Sequence, residues 1–150
     1  MSISLALIPA ALLLKVILFD KDYEQLMKKD TKSWGNIKLP TNYNDKELLV
    51  KTLRDFNAKR IKIDKENITC MIDRYSLEFL KGEKNYIIEL SKIKNPDRLI
   101  EELRCLDGLY KQNLQEQIYV KTKERIREQG MIIETEEVLE DNSIVLTVSV

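Results

Sequence analysis

The stretch Asn44–Ile72, NDKELLVKTLRDFNAKRIKIDKENITCMI, decides the predicted fold because it joins a helical pattern to a β-hairpin pattern. Asn44 and Glu47 form a capping-box-like helix start, and apolar residues then recur at helical spacing. From Ile61 onward, apolar residues alternate with polar ones on both sides of a turn at Lys65-Glu66-Asn67, which is typical of two half-buried strands. We therefore predict a helix followed by an antiparallel hairpin.

A second copy of this helix–hairpin unit is predicted further along the chain. Val50-Lys51-Thr52 lies in the first helical pattern, and Val120-Lys121-Thr122 lies in another. The second hairpin pattern covers Met131–Val150 and turns at Glu140-Asp141-Asn142. Its final strand carries no charge, so that strand is either central in a sheet or an edge available for pairing. An internal duplication would place two such units side by side, with their helices on one sheet face.

Further strand patterns lie between the two units. Apolar residues alternate through Tyr75–Phe79 and Tyr86–Leu90, on either side of a turn at Lys81-Gly82-Glu83-Lys84. Turns this short join neighbouring antiparallel strands. The predicted fold class is therefore α+β, with an antiparallel sheet of about five strands and helices mainly on one face.

A long helical pattern precedes the second hairpin. Asn95-Pro96 is a strong helix start, and Gly130 supplies the stop. An unbroken helix between them would be about 50 Å long at 1.5 Å per residue, which exceeds the width expected of a compact domain of this size. We predict a bend or break near Asp107-Gly108, with a straight helix bridging two subunits as the alternative.

The N-terminal segment Ile3–Phe19 is largely apolar. We predict that residues 1–30 contain a buried apolar helix, that residues 31–44 form a loop, and that residues 45–150 form the α+β domain. These parts are expected to make a single compact domain overall, which suits a chain of 150 residues.

The far side of this apolar helix is a candidate contact with a partner, because a helix that is apolar all round has to be covered on every face. Peripheral membrane attachment through residues 3–19 is the alternative, since the run is shorter than the roughly 20 apolar residues of a membrane-spanning helix. No basic residue precedes Lys15, so a secretory signal is not expected. The candidate contact residues are Leu12, Val16 and Phe19.

The composition argues against most catalytic chemistry. The sequence has no histidine, and Cys70 and Cys105 form no CxxC pair, which disfavours imidazole bases, zinc sites and dithiol redox chemistry. Both cysteines are predicted to be buried small hydrophobes. Basic and acidic residues number 25 each, so the basic excess of a nucleic-acid-binding protein is missing. No catalytic residue and no cofactor are predicted.

Charge clusters indicate further candidate contacts. Lys51–Lys65 holds six basic and two acidic residues, and this basic edge could meet nucleic acid or an acidic partner. From it we select Lys51, Arg54 and Lys62 as possible partner contacts. A second basic stretch, Lys121–Arg127, ends the long helix and complements its dipole.

Carboxylates provide the alternative from another class, a metal-dependent phosphodiesterase or nuclease. Asp73 and Glu89 flank a hairpin, but Ser91 stands where such sites usually have a lysine. Glu134 and Glu136 share a strand face and have oxygen ligands for a divalent cation, without the spacing of a calcium loop. We interpret both groups as surface residues and predict no metal site.

Several segments of the second half together match the pattern of a known family. They are Tyr86–Leu90, Gln117–Val120, Gly130, Ile132–Glu134 and Asp141–Val148. Through them the second half of the chain resembles a family of conserved hypothetical proteins from cyanobacterial, chloroplast and other bacterial genomes, a domain of unknown function. The likeness covers roughly residues 45–150 and is best from about 110 onward; in that family a glycine usually follows the turn aspartate, where this chain has Asn142. The resemblance implies a bacterial protein of the same fold and no particular activity.

The function predicted from these features is a non-enzymatic, cytoplasmic protein-binding or assembly module that self-associates. The positive reason is an apolar helix surface that is large for one small domain. The predicted partner is a second copy of the chain or another protein.

Overall fold

The computed structural model describes residues 3–9, 36–91 and 96–150. Packing divides the chain into two compact units, where one compact domain was predicted. The three-stranded unit comprises Met1–Leu14 and Lys111–Val150, and the five-stranded unit comprises Lys15–Tyr110.

Within the described ranges the chain forms eight strands and two helices. In chain order they are β1 (Ile3–Ile8), β2 (Asn36–Pro40), α1 (Lys46–Asp55), β3 (Lys59–Asp64), β4 (Asn67–Ile72), β5 (Tyr75–Lys81), β6 (Tyr86–Ser91), α2 (Asp97–Glu128), β7 (Ile132–Val138) and β8 (Ile144–Ser149). Every strand pairing is antiparallel. The α+β class and the five-stranded antiparallel sheet predicted from the sequence are confirmed.

The five-stranded sheet has the order β2-β6-β5-β4-β3. Its strands alternate as the sequence indicated, because every second residue is buried through Ile68–Ile72, Tyr75–Phe79 and Tyr86–Leu90. Phe79 and Ile88 form a directly opposed pair and are both fully buried. Helix α1 buries Leu49 and Leu53 completely and is capped by Asp45, whose carboxylate accepts the Leu48 N–H at 3.1 Å. The cap is thus one residue beyond the predicted Asn44.

The three-stranded sheet has the order β1-β8-β7, so the uncharged strand β8 is central. Its inner face forms a small core with the second half of α2. Ile8, Leu146 and Val148 of the sheet are at most 2% exposed, and Ile126 of the helix is 7% exposed. The two predicted helix–hairpin units therefore belong to two sheets instead of lying side by side in one.

The N-terminal helix prediction is wrong for the residues that the structure describes there. Ile3–Ile8 is a strand whose six residues all pair with β8. A short apolar run has no period that separates a buried helix from a buried strand, and here the backbone of β8 supplies the hydrogen-bond partners. The predicted loop 31–44 also contains strand β2, which pairs with β6. Residues 10–30 of the predicted helix lie outside the described residues.

The break predicted near Asp107-Gly108 is absent, since α2 continues through both residues. A Cβ atom added at Gly108 would have no neighbour within 4 Å, so this glycine neither tightens nor interrupts the helix. The length limit behind the prediction assumed one compact domain, whereas α2 contributes its first part to one unit and its second part to the other.

Both helices end in the same chain reversal. After α1, Asn57 has a positive φ of 63°, and its N–H and that of Ala58 donate to Arg54 and Leu53. After α2, Gly130 has a φ of 73°, and the equivalent bonds run from Gly130 to Arg127 and from Met131 to Ile126, at 2.9 and 3.0 Å. Each pair of bonds is a Schellman motif, which satisfies the last carbonyls of the helix.

Each reversal leads into a bulged strand and then a hairpin. β3 carries its irregularity between Lys59 and Lys62, and β7 carries one between Ile133 and Thr135. The Val-Lys-Thr triplets are not equivalent in this arrangement, since Val50 is buried and Val120 is 47% exposed. The two units therefore share their order of elements, their helix ends and their bulges, but the Val-Lys-Thr triplets do not occupy equivalent positions.

Two glycine substitutions in α2 and its reversal test this account of the helix end. Gly130→Ala places a side chain at positive φ with no packing in return, so we expect a loss of about 1 kcal/mol in the free energy of unfolding. Gly108→Ala, in the same open surroundings but within the helix, should gain about 0.5–1 kcal/mol. Urea unfolding followed by circular dichroism measures both, and two changes of the same sign would contradict the assignment.

Candidate functional site

Four edge strands end the two sheets of the described chain: β2 and β3 in one, β1 and β7 in the other. An edge strand presents unpaired N–H and C=O groups, and proteins protect it with charges, proline, bulges or short length. Strand β2 is five residues long, ends at Pro40 and exposes Lys38. Strand β3 is bulged and exposes the charged residues Lys59, Arg60, Lys62 and Asp64.

The two edges of the three-stranded sheet differ from each other. Strand β7 is bulged and exposes Glu134, Glu136 and Glu137. Strand β1 is uncharged, contains no proline and pairs with β8 without a register shift. Strand β1 is therefore the edge, among those the structure describes, that carries none of these protections.

Apolar side chains stand on the outer face of this sheet. Leu5 is 71% exposed and Leu7 is 63% exposed, and they pair with Thr147 and Val145 of β8. Ile132 of β7 is 68% exposed on the opposite edge. Sequence reasoning assigned Leu5 and Leu7 to a helix, although the uncharged, alternating outer residues of β8 were a signal that a neighbouring strand would be apolar too.

A groove runs between α2 and the edge of β7. We call it the α2–β7 groove; its cavity volume is about 490 Å³, and it lies wholly within the three-stranded unit. Lys123 and Arg127 are one helical turn apart on the helix side, while the strand side carries both apolar and acidic residues. The lining residues are Lys123, Arg127 and Met131–Glu136.

Three polar side chains join α2 to β7 through hydrogen bonds to one another. The Tyr119 hydroxyl donates to Glu136 Oε2 at 2.6 Å, and Lys123 Nζ donates to Glu136 Oε1 at 3.0 Å and to the Tyr119 oxygen at 3.2 Å. The hydrogen bond from Tyr119, followed by that from Lys123, lowers the pKa of the Glu136 carboxyl. Hydrogen bonds to Tyr119 and Glu136 raise the pKa of Lys123. Glu136 and Lys123 therefore offset each other's charge.

The candidate contact residues predicted from the sequence are only partly described. Lys51 and Arg54 are exposed on α1, and Lys51 forms an ion pair with Asp55 at 2.8 Å. Lys62 is exposed on β3. These three belong to the five-stranded unit, and Leu12, Val16 and Phe19 lie outside the described residues.

The residues considered for metal or thiol chemistry have other surroundings. Asp73 pairs with Arg98 at 2.9 Å, and in the described ranges no three acidic or cysteine side chains are grouped to hold a metal ion. Cys70 is buried as predicted, and burial raises its pKa to about 12. Cys105 is exposed, which corrects the prediction that both cysteines are buried. Neither described helix combines the length and apolarity that crossing a membrane requires.

Comparison with family models, with curated proteins and with solved structures gives no match for this chain. The resemblance of the second half to a domain of unknown function therefore stays a prediction.

The Tyr119–Lys123–Glu136 arrangement predicts a pH effect. Because the folded-state pKa of Glu136 is lowered, its contribution to stability is complete above the ordinary value of 4.5 and is lost as the pH falls through the lowered value. Tyr119→Phe removes the hydrogen bond that lowers the Glu136 pKa most, so this pKa should rise toward 4.5. Carboxyl-carbon NMR titration measures the change. Asp141 is the internal control, since its pKa is lowered by the Ser143 backbone N–H and should not move. An unchanged Glu136 pKa would contradict the arrangement.

Proposed function

We propose that this chain is a self-associating assembly module and that two copies pair through their β1 strands. The observation that carries the proposal is the uncharged β1 edge, which pairs with no described strand other than β8 and has Leu5 and Leu7 exposed beside it. The proposal keeps the non-enzymatic, protein-binding role predicted from the sequence and moves its contact from a helix to a strand.

A second copy of β1 suits this edge better than the other edges do. Antiparallel pairing of β7 with itself would bring glutamates near glutamates, and pairing of β3 with itself would bring lysines near lysines, which is destabilising. Strand β1 has no charge to oppose its copy. A two-fold axis at Ala6 would place Leu5 of each copy opposite Leu7 of the other, on one continuous outer face.

The chemistry of the two cysteines also supports the proposed cytoplasmic setting. Cys70 and Cys105 are both free, and unpaired cysteines are usual in reducing compartments.

An interface of one strand pair and a few leucines is small, so we expect reversible association in about the micromolar range.

Sedimentation velocity across micromolar concentrations tests the pairing. Leu5→Lys places a charge on the edge and removes an apolar contact, so the dimer dissociation constant should rise on the order of tenfold or more. Ile63→Lys is the matched control, because Ile63 is 46% exposed on the edge strand β3 and its substitution should leave association unchanged. A monomeric native chain at every concentration, or equal effects of the two variants, would refute the proposal.

Disulfide trapping tests the register. Leu5→Cys and Leu7→Cys are prepared separately in a Cys105→Ser background, which removes the exposed thiol, and are then mixed and oxidised. Pairing about Ala6 predicts that the mixed disulfide forms in preference to either symmetric one, because only that pair is directly opposed. Equal yields would exclude this register.

Vesicle flotation separates dimerisation from the alternative of membrane attachment. If the native chain floats with vesicles, Leu5→Lys abolishes this flotation and no dimer forms in solution, the outer face at β1 contacts lipid instead of a second copy.

A further inference from the structure

We propose that the α2–β7 groove binds an extended segment of another protein by strand addition, antiparallel to β7. The segment presents a carboxylate side chain to Arg127 and, three positions earlier, a lysine or arginine to Glu137. This site is on the opposite edge of the sheet from β1 and does not depend on self-association.

The backbone of β7 can accept a further strand. Within the described chain β7 has one neighbour, β8, so no other described strand pairs with its outer row of N–H and C=O groups, and Ile132–Glu136 of the same strand line the groove. The bulge lies between Ile133 and Thr135, and from Thr135 to Val138 the pairing with β8 is regular. The groove borders Met131–Glu136, so an added strand pairs with the regular section that starts at Thr135 and continues past the bulge alongside the groove. In strand addition of this kind, main-chain hydrogen bonds give affinity and side-chain contacts give specificity.

The charges of the groove indicate what the added segment carries. Glu136 and Lys123 offset each other through their 3.0 Å ion pair. Arg127 is exposed, lines the groove and forms no ion pair with another described residue. An arginine in this position can bind a carboxylate through two parallel hydrogen bonds.

The faces of the sheet fix the spacing of the two partner charges. Ile133 is packed on the helix side, whereas Glu137 pairs with Val145 and so shares the outer face with it. Because of the bulge, Ile133 and Glu137 lie opposite β8 residues that are three positions apart, Val148 and Val145. Arg127 and Ile133 both line the groove on the helix side, so the acidic residue of the added strand belongs opposite Ile133 and its basic residue belongs opposite Glu137. An added strand that follows the same path as β8 therefore carries these two residues at an odd spacing of three positions, one on each face. Because the added strand runs antiparallel to β7, it passes Glu137 before it passes Ile133, so its basic residue precedes its acidic residue in sequence.

The acidic edge also explains why the occupant is a different segment. Glu134 and Glu137 oppose pairing of β7 with a second β7, since like charges would face each other. A segment that carries both signs of charge meets Glu137 and Arg127 in turn.

Fluorescence anisotropy with a defined peptide tests the proposal. The probe is a labelled, end-blocked octapeptide, Ser-Val-Lys-Val-Thr-Glu-Thr-Ser, titrated with the full chain. Arg127→Gln should weaken binding about tenfold, which is the loss of one charge-assisted contact. Replacing glutamate by glutamine in the peptide should cost the same with the native chain and nothing further with Arg127→Gln.

Arg125→Gln is the matched protein control. Arg125 is exposed in the same last turn of α2 as Arg127, but it does not line the groove. Its substitution should leave peptide binding unchanged.

Two further peptides separate strand addition from charge attraction alone. A peptide with the lysine and glutamate exchanged has the same composition and should bind at least about tenfold more weakly. A peptide N-methylated at alternate residues on its pairing edge keeps the charges but cannot complete the main-chain hydrogen bonds, so it should also bind more weakly.

The outcomes divide clearly. Native binding that weakens with Arg127→Gln, with the exchanged peptide and with the N-methylated peptide supports the site. No binding at millimolar peptide, or equal binding by all peptides, overturns it. Repeating the titration with Leu5→Lys keeps this result separate from self-association, because the groove should bind whether or not the chain dimerises.

Discussion

The reversal at the end of each helix is the constraint on which both units depend. A helix that is followed directly by a strand of the sheet it packs on must turn back within a few residues, and one residue at positive φ accomplishes this. Asn57 and Gly130 take that position, and the backbone carbonyls of the buried residues Leu53 and Ile126 accept the closing hydrogen bonds. The strands that leave these two reversals, β3 and β7, are both edges of their sheets. In both units the completed helix is therefore followed directly by an exposed strand.

The charge on each edge decides what that edge can accept. Strand β3 is rich in lysine and arginine, β7 is rich in glutamate, and β1 is uncharged. Like charges on directly opposed residues oppose self-pairing, and a bulge distorts the ladder that a new strand would have to follow. The bulge in β7 nevertheless lies near its start, which leaves the section from Thr135 to Val138 regular. A partner with complementary charges can use that section, while a second copy of β7 cannot.

Local patterns in the sequence account for most of the five-stranded unit. Strands β4, β5 and β6 alternate strictly and are joined by short turns, so sequence neighbours are also neighbours in the sheet. The pairing of β1 with β8 brings together residues from the two ends of the chain, and no local period records such a contact. The division into two sheets follows from that pairing, since β8 takes β1 and not a strand of the other unit as its second neighbour. Basic residues at the end of α2 were recognisable from the sequence, but their position beside an edge strand was not.

The central position of β8 relates the two proposed contacts to each other. Because β8 is paired on both sides, every addition to this sheet must occur at β1 or at β7. Pairing of two β1 strands would extend the sheet at one edge only, and each copy would retain its α2–β7 groove at the other. The Tyr119–Lys123–Glu136 hydrogen bonds tie α2 to β7, so the wall and the edge of the groove are held in register by contacts that β1 does not share. Assembly of copies and capture of an extended partner would therefore use the same small sheet without competing for the same hydrogen-bonding groups.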